Sequence, residues 1–212
     1  MTRAVWRPPV GRPFPRAFYD RETELVAREM LGAVLECRTP EGVASGRIVE
    51  TEAYLGPHDP ACHAVAGLTE RTRHLHGPPG IAYVYRVYGA HWCFNAVTQP
   101  KGVGAAVLVR AVEPVGGTDL MRARRPSVAR DRDLTNGPGK LCAALGITGA
   151  LSGLQLDREP LVVRHGDDVP DGDVLVSPRI GITRAADWPL RWFVKDSEYV
   201  SKTPRHFEAR SL

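Results

Sequence analysis

The fold is decided by the stretch AVLECRTPEGVASGRIVETEAY, which runs over residues 33–54. Both ends of this stretch are rich in residues that favour strands, and Pro40–Gly42 between them is typical of a tight turn. We therefore predict a β-hairpin here. Because side chains alternate along a strand, Glu50, Glu52 and Tyr54 should share one face of its second arm.

This face, with two carboxylates and a tyrosine, allows two interpretations. One is a solvated face on an edge strand, which needs no function. The other is a general base beside an aromatic platform. Tyrosines at 83, 85 and 88 favour the second interpretation, because aromatic rings supply stacking surfaces for nucleic-acid bases. Tyr88 precedes Gly89 at a predicted hairpin tip, where an aromatic side chain is well placed for insertion into a base stack.

The remaining segments predict strands and helices without a regular βαβ order. The predicted elements are a hairpin over 81–98 with a type II′ turn at Gly89-Ala90, a buried strand over 104–114, and helices after Asp20, after Gly117 and from Pro138 to Gly146. The stretch 56–80 reads as a long loop, and such loops in compact domains often carry function. The pattern predicts a single mixed α+β domain around a largely antiparallel sheet.

Length and composition are those of one ordinary domain. The chain has 212 residues, of which 43% are hydrophobic and 25% charged, enough for one sizeable core. No apolar run approaches the roughly 20 residues of a membrane helix, and the N-terminus lacks the apolar segment of a secretory signal. We therefore expect a cytoplasmic protein without membrane contact. We divide it into a flexible basic arm over 1–16, a main domain over 17–202 and a tail over 203–212.

The cysteine, histidine and arginine residues bear on whether the chain binds a metal ion or a nucleic acid. The four cysteines are far apart without a CxxC pair, so we expect free thiols. Five residues cluster in the long loop, but their spacing fits no common zinc module, and we predict no metal; they are His58, Cys62, His63, His74 and His76. The net charge of +4 permits a nucleic-acid partner. Five arginines over 122–132 fit either phosphate contacts or a solvated surface.

Several long segments, in chain order, resemble the alkyladenine (3-methyladenine) DNA glycosylase family. They are GRIVETEAYLGP from residue 46, YVYRVYG from 83 with Cys93 and Asn95 after it, AAVLVRAVEP from 105, NGPGKLCAALGI from 136, RIGI from 179 and DWPLRW from 187. The resemblance covers about residues 17–202. It implies a single mixed α/β domain with a curved antiparallel sheet and a protruding β-hairpin, and neither metal nor organic cofactor.

The resemblance also implies a function, that of a monofunctional DNA glycosylase of base excision repair. Such an enzyme flips an alkylated or deaminated purine out of double-stranded DNA and hydrolyses the N-glycosidic bond, leaving an abasic site. By the same resemblance, Glu52 is the general base that activates the attacking water. Arg110 lies beside that water, and the backbone carbonyl of Ile180 helps to hold it. We expect a monomer, associated with the nucleoid if the source is bacterial.

Five further residues match the part of the family pattern that binds DNA. Tyr54 is the platform on one face of the flipped base, and His63 and Tyr85 enclose its other face and edge. Asn95 discriminates against the exocyclic amino group of normal guanine. Tyr88 is the wedge that fills the gap left in the duplex.

The chain departs from the family pattern in the long loop and at the hairpin turn. Thr72 stands where asparagine is usual, His76 where phenylalanine is common, and Ala90 where methionine is common. We expect these departures to affect access to the pocket and binding of the duplex. A strict two-residue turn would also place Asn95 and Tyr85 on opposite faces, so a bulge or a wider turn is needed.

Three other functions compete with this one. A bifunctional glycosylase/lyase needs an amine nucleophile, and the chain has only four lysines, none near Glu52 in sequence. A catalytically silent nucleic-acid-binding module would keep the aromatic and arginine residues but would not need Glu52. A metal-dependent hydrolase would use the histidine cluster and would lose activity in a chelator.

Overall fold

The computed structural model describes residues 11–87, 89–204 and 207–212. Tyr88, the predicted wedge, and residues 1–10 of the predicted arm lie outside these ranges. The strands are β1 (Val34–Thr39), β2 (Gly42–Tyr54), β3 (Ala82–Val87), β4 (His91–Thr98), β5 (Ala105–Gly116), β6 (Asp157–Arg158), β7 (Leu161–Arg164), β8 (Val174–Ser177), β9 (Arg191–Val194) and β10 (Arg210–Ser211). The α-helices are α1 (Arg16–Tyr19), α2 (Thr23–Glu29), α3 (Thr118–Arg124), α4 (Arg132–Thr135) and α5 (Pro138–Leu145).

The sheet is built around β2, and every strand pairing in the described residues is antiparallel. Along one side β2 pairs with β5; along the other it pairs first with β1 and then with β9. The predicted hairpin of β1 and β2 is confirmed, and so is the single α+β domain. The interpretation of β2 as a solvated edge strand is wrong, because β2 has partners on both sides and Glu50 and Glu52 are fully buried.

The hairpin of β3 and β4 has a wider turn than the sequence predicted. Val87 pairs with His91, so three residues separate the strands, and the predicted two-residue turn is wrong. This one-residue change decides which side chains share a face, because alternation has a period of two. Asn95 now lies opposite Tyr83, on the same face as Tyr85, as the family pattern requires.

Two apolar clusters lie on opposite faces of the sheet. The larger one packs α1, α2, α3 and α5 against the sheet, with Ala82 and Val84 of β3 among its members. Tyr83, which lies between those two residues in the strand, belongs to the second cluster with Cys62, Leu75 and Ala106. The loop over 56–80 contributes to this second cluster, so it covers the opposite face of the sheet.

The helix predictions hold apart from one boundary. α3 follows Gly117, and α5 begins at Pro138 and ends before Gly146, whose φ of +78° suits glycine. The predicted cap at Asp20 is wrong: α2 begins at Thr23, and Asp20 instead ends α1. None of the helices in the described part of the chain combines the length and apolarity of a membrane span.

Both chain ends that the structure describes are attached to the sheet. Gly11 donates its N–H to the His165 carbonyl at 2.7 Å, and Phe14 is fully buried with its ring stacked 3.8 Å from Phe18. These contacts join residues 11–14 to the rest of the domain, while the flexible basic arm over 1–16 stays a prediction. In the tail, β10 pairs with β8. The domain boundaries at 17 and 202 stay a prediction.

Candidate active site

A pocket of about 370 Å³ lies on the face of the sheet that the long loop covers. Its floor follows strand alternation: Ala106, Leu108 and Arg110 come from β5, and Tyr85 and Asn95 come from the β3–β4 hairpin. The walls come from the loop, from the start of α5 and from the segment after β8, namely Ala61, Cys62, His63, Arg71, Leu75, Pro138, Ile180, Gly181 and Ile182. A concave, mainly apolar cavity of this size suits a small planar group.

The Glu52 carboxylate lies directly behind the pocket wall. Its Oε1 accepts a hydrogen bond from the backbone N–H of Ile180 at 2.8 Å and pairs with Nη1 of Arg110 at 3.1 Å. Its Oε2 accepts the Tyr54 hydroxyl at 2.9 Å. All three partners line the pocket. A carboxylate has about four acceptor positions, so the described residues leave one position on Oε2.

Arg110 joins the two carboxylates of β2. Its Nε donates to Glu50 at 2.9 Å, and its Nη1 also lies 3.5 Å from the Ile180 carbonyl oxygen. Burial alone would lower the pKa of Arg110, but the charges of Glu52 and Glu50 outweigh burial and raise it above its ordinary value. Arg110 is therefore a permanent cation at the base of the pocket.

Glu50 is enclosed by donors and does not reach the pocket. Besides Arg110, Arg191 donates through Nε at 2.7 Å, and Ser201 donates through both its N–H and its hydroxyl at 2.7 Å. Burial by itself would raise the pKa of Glu50, but the two arginines and the Ser201 hydrogen bonds hold it below its ordinary value. Glu50 is thus a carboxylate held in its charged form.

Aromatic side chains form the sides of the pocket. Burial and the adjacent Glu52 charge raise the pKa of Tyr54 well above its ordinary value, so its hydroxyl stays protonated and continues to donate. The His63 and Tyr85 rings meet edge to face at 4.5 Å, and His63 Nδ1 is hydrogen-bonded to the Tyr83 hydroxyl at 3.0 Å. Burial and Arg71 lower the pKa of His63, which favours a neutral ring near pH 7.

Seven of the eight predicted site residues fall within the described residues, and the structure brings all seven together. Asn95 lines the same pocket as the rings, with only 4% of its surface exposed, and its Nδ2 donates to the Tyr83 carbonyl at 3.1 Å. That bond holds the amide in one orientation against the floor. The eighth residue is Tyr88.

A family model described as methylpurine-DNA glycosylase matches residues 17–198. The chain belongs to this family. A DNA glycosylase of this family acts on methylated purines in the repair of alkylation damage, and DNA is its substrate.

Three relatives are similar over nearly their whole length, and each is provisionally named a 3-methyladenine DNA glycosylase. The relative from Methanoculleus marisnigri is 51% identical over 191 residues, which cover 89% of this chain and 98% of the relative. The one from Myxococcus xanthus is 50% identical over 193 residues, covering 90% and 94%. The one from Rhodopseudomonas palustris is 47% identical over 195 residues, covering 92% and 91%.

Besides the ion pairs of Arg110 with Glu50 and Glu52, this glycosylase has a buried ion pair that sequence analysis missed. Arg179 and Asp59 are both fully buried and pair with each other, and Arg179 lies over the Tyr54 ring at 4.6 Å. Arg191 and Ser201, the partners of Glu50, were missed as well. The one available signal was the position of Arg179 directly before Ile180 in the RIGI segment.

The residues weighed as metal ligands are bonded separately. His74 Nδ1 is hydrogen-bonded to the Ser152 hydroxyl at 2.9 Å, and His76 Nδ1 to the Gly102 carbonyl at 3.1 Å. Across residues 11–87, 89–204 and 207–212, no three His, Cys, Asp or Glu side chains are grouped so that they could hold a metal ion.

Thr72 and the five arginines over 122–132, whose roles the sequence left open, also form contacts within the protein. The hydroxyl of Thr72, where the family pattern has asparagine, donates to the Gly67 carbonyl at 2.7 Å and so closes a turn of the long loop. Each of the five arginines over 122–132 bonds within the protein, through Asp119, Asp131, Thr39, Glu41, Ala144, Asp133, Leu134 and Glu198. The five arginines therefore have partners within the protein without a phosphate.

Proposed function

We propose that this protein is a monofunctional glycosylase that flips an alkylated or deaminated purine out of duplex DNA and hydrolyses its N-glycosidic bond with a water activated by Glu52. The class of lesions includes 3-methyladenine, 7-methylguanine, hypoxanthine and ethenoadenine, and the product is an abasic site. The observation that carries the proposal is the Glu52 carboxylate, which is buried, binds three residues that line the pocket and has one acceptor position left on Oε2.

Hydrolysis needs a nucleophile on one side of the sugar and a leaving group on the other. The water oxygen bonds to C1′ of the deoxyribose while the C1′–N bond breaks, and that electron pair goes to the purine. The proton of the water passes to Glu52. Alkylation at N3 or N7 makes the purine a better leaving group, because the base then carries a positive charge that the electron pair neutralises.

Two neighbours hold the carboxylate in position for this step. Arg110 and the N–H of Ile180 both bind Oε1, which directs the remaining acceptor position of Oε2 for the water. The Ile180 carbonyl, proposed from the family pattern to help hold the water, lies 3.5 Å from Nη1 of Arg110. Ile180 therefore contributes its N–H as well as its carbonyl to this site.

The rest of the pocket would bind the flipped base. The Tyr54 ring supports one face, His63 and Tyr85 enclose the other face and the edge, and Asn95 discriminates against the amino group of guanine. Tyr88, which follows the last residue of β3 in the sequence, would fill the gap in the duplex. Flipping costs a few kcal/mol, and stacking of about 1–3 kcal/mol per base would offset it.

The monofunctional assignment rests on the positions of the lysines. None of the four lysines of the chain is among the described residues that line the pocket. We propose that the enzyme acts as a monomer, in the cytoplasm or on the nucleoid of a bacterial cell, without metal or organic cofactor.

The test is a panel of duplexes, each with one damaged base, assayed for base release. We expect release from duplexes that contain hypoxanthine or ethenoadenine, unchanged by a chelator, and no protein–DNA adduct after borohydride. No release from any duplex, despite binding, would favour the silent binding module. A trapped adduct would favour the lyase, and loss of activity in chelator would favour the metal-dependent hydrolase.

A further inference from the structure

An ion pair that is fully buried lies behind the pocket. Nη2 of Arg179 donates to Oδ1 of Asp59 at 2.9 Å, and Nη1 donates to Oδ2 of the same carboxylate at 2.5 Å. Both side chains have no exposed surface. The backbone N–H groups of Leu55 and Ala61 also donate to Asp59, at 3.2 and 3.0 Å. The pair therefore ties the start of the long loop to the segment after β8.

Arg179 lies over the Tyr54 ring, which lines the pocket. Its guanidinium carbon lies 4.6 Å from the ring centroid. Tyr54 lines the pocket, whereas Arg179 is fully buried and does not. The ring thus contacts the buried cation and also borders the space proposed for the base. Nη1 of Arg179 also donates to the carbonyl of Ala53, next to Tyr54, at 2.9 Å.

Arg179 also fixes the position of a donor to the catalytic carboxylate. The next residue, Ile180, donates its backbone N–H to Glu52 at 2.8 Å. Tyr54, held by the guanidinium, donates its hydroxyl to the other oxygen of Glu52 at 2.9 Å. Two of the three groups that orient Glu52 therefore depend on the placement of Arg179.

We propose that Arg179, held by Asp59, is a positioning residue that sets both the plane of the Tyr54 platform and the orientation of the Glu52 carboxylate. The proposal rests on the function proposed above, because it gives Glu52 and Tyr54 their roles. Arg179 touches neither the base nor the water. Its effect should fall on the chemical step, since displacement of a reacting group by about 1 Å can cost about 10²-fold in rate.

The first test is the double variant Arg179→Met, Asp59→Asn, which removes both charges and so leaves no lone buried ion. We expect its single-turnover rate of base release to fall about 10- to 100-fold, a larger change than the one in its Kd for the lesion duplex. Arg179→Lys keeps a cation near the Tyr54 ring but loses the bidentate pairing with Asp59. Its rate of base release should lie between that of the unaltered protein and that of the double variant. This graded recovery would not follow from a loss of stability.

A matched control exists elsewhere in the chain. Arg21 lies 4.7 Å from the Phe18 ring centroid and pairs with Glu29 at 2.7 Å, and neither residue lines the pocket. The double variant Arg21→Met, Glu29→Gln removes the same kind of contact, so it should lower the Tm but leave the rate unchanged.

The outcomes separate the two proposals. If the unaltered protein releases no base, the proposed function fails. If it is active and the folded Arg179 and Asp59 double variant reacts at the same rate, the positioning role is overturned; an equal loss of rate in the control overturns it as well. If the double variant does not fold, Arg179→Lys decides: a reduced rate at a temperature where circular dichroism shows it folded supports the proposal, and an unchanged rate overturns it.

Discussion

The two carboxylates of β2 are two residues apart and equally buried, yet their surroundings differ. Glu50 is bound by two arginines and by both donors of Ser201. Glu52 is bound by one arginine, one backbone N–H and one hydroxyl, all from residues that line the pocket. Burial alone therefore does not distinguish the two carboxylates. They differ in the number of their donors and in how many of those donors come from residues that line the pocket.

Arg110 connects the two carboxylates. It binds Glu50 through Nε and Glu52 through Nη1, so Glu50 anchors the arginine that orients Glu52. Loss of Glu50 should therefore act mainly on stability, and loss of Glu52 mainly on chemistry. Each prediction below tests part of this division.

The largest effect is expected for Glu52→Gln. Glutamine is nearly isosteric but cannot take a proton from water, and loss of a positioned general base typically costs 10²–10⁴-fold, roughly 3–5 kcal/mol of barrier. Single-turnover base release on an ethenoadenine or hypoxanthine duplex should be abolished, while a gel shift on the same DNA shows binding. Comparable rates for the variant and the unaltered protein would overturn the assignment of Glu52.

Glu50→Gln should act on stability instead. Removing one partner of a buried ion pair typically costs about 3–5 kcal/mol, because it leaves an uncompensated charge, here on Arg110 and Arg191. Urea unfolding should show this loss, and base release measured where the variant is folded should fall less than for Glu52→Gln. If Glu50→Gln were inactive and Glu52→Gln active, the roles of the two residues would be exchanged.

The acid limb of the stability curve should report Glu50 specifically. Burial by itself would raise the pKa of Glu50 in the folded protein. Arg110, Arg191 and the Ser201 hydrogen bonds outweigh burial and hold this pKa below its ordinary value of 4.5. The folded state therefore binds this proton less readily than the unfolded chain. The stabilisation is fully present above about pH 4.5 and is lost as the pH falls through the folded pKa.

This pH dependence has a measurable consequence. The difference in unfolding free energy between the unaltered protein and Glu50→Gln should be greatest near neutral pH and should shrink as the solution is acidified. A difference that stays constant from neutral to acidic pH would contradict the charged state assigned to Glu50.

The smallest effect is expected for a change in the part of the pocket that would bind the base. Asn95→Ser should relax discrimination against guanine by about tenfold, the low end of what steric exclusion of a small group supplies. The reason is the smaller side chain on the pocket floor, where Asn95 is now held by the Tyr83 carbonyl. The measurement is the ratio of base release from hypoxanthine and guanine duplexes; an unchanged ratio would remove Asn95 from the selectivity of the pocket.

Local sequence signals predicted the elements that position the site. The hairpin over 34–54, the helix after Gly117 and the helix from Pro138 depend on turn residues, alternation and end signals within a few positions of each other. Alternation also placed Glu52 and Tyr54 on one face, and the family resemblance supplied the set of residues that the structure gathers around one pocket. These inferences held because each depends on contacts between near neighbours or on an extended motif.

The tertiary structure alone decided how the two carboxylates differ. Arg191 and Ser201 lie 141 and 151 residues after Glu50, and Arg179 lies 120 residues after Asp59. The register of β3 and β4 likewise depended on one extra residue in the turn. Alternation predicts which face of the strand a side chain occupies, but it does not predict which distant segments pack against that face. The donors around each carboxylate, and with them the proposed division between anchor and base, arise from that packing.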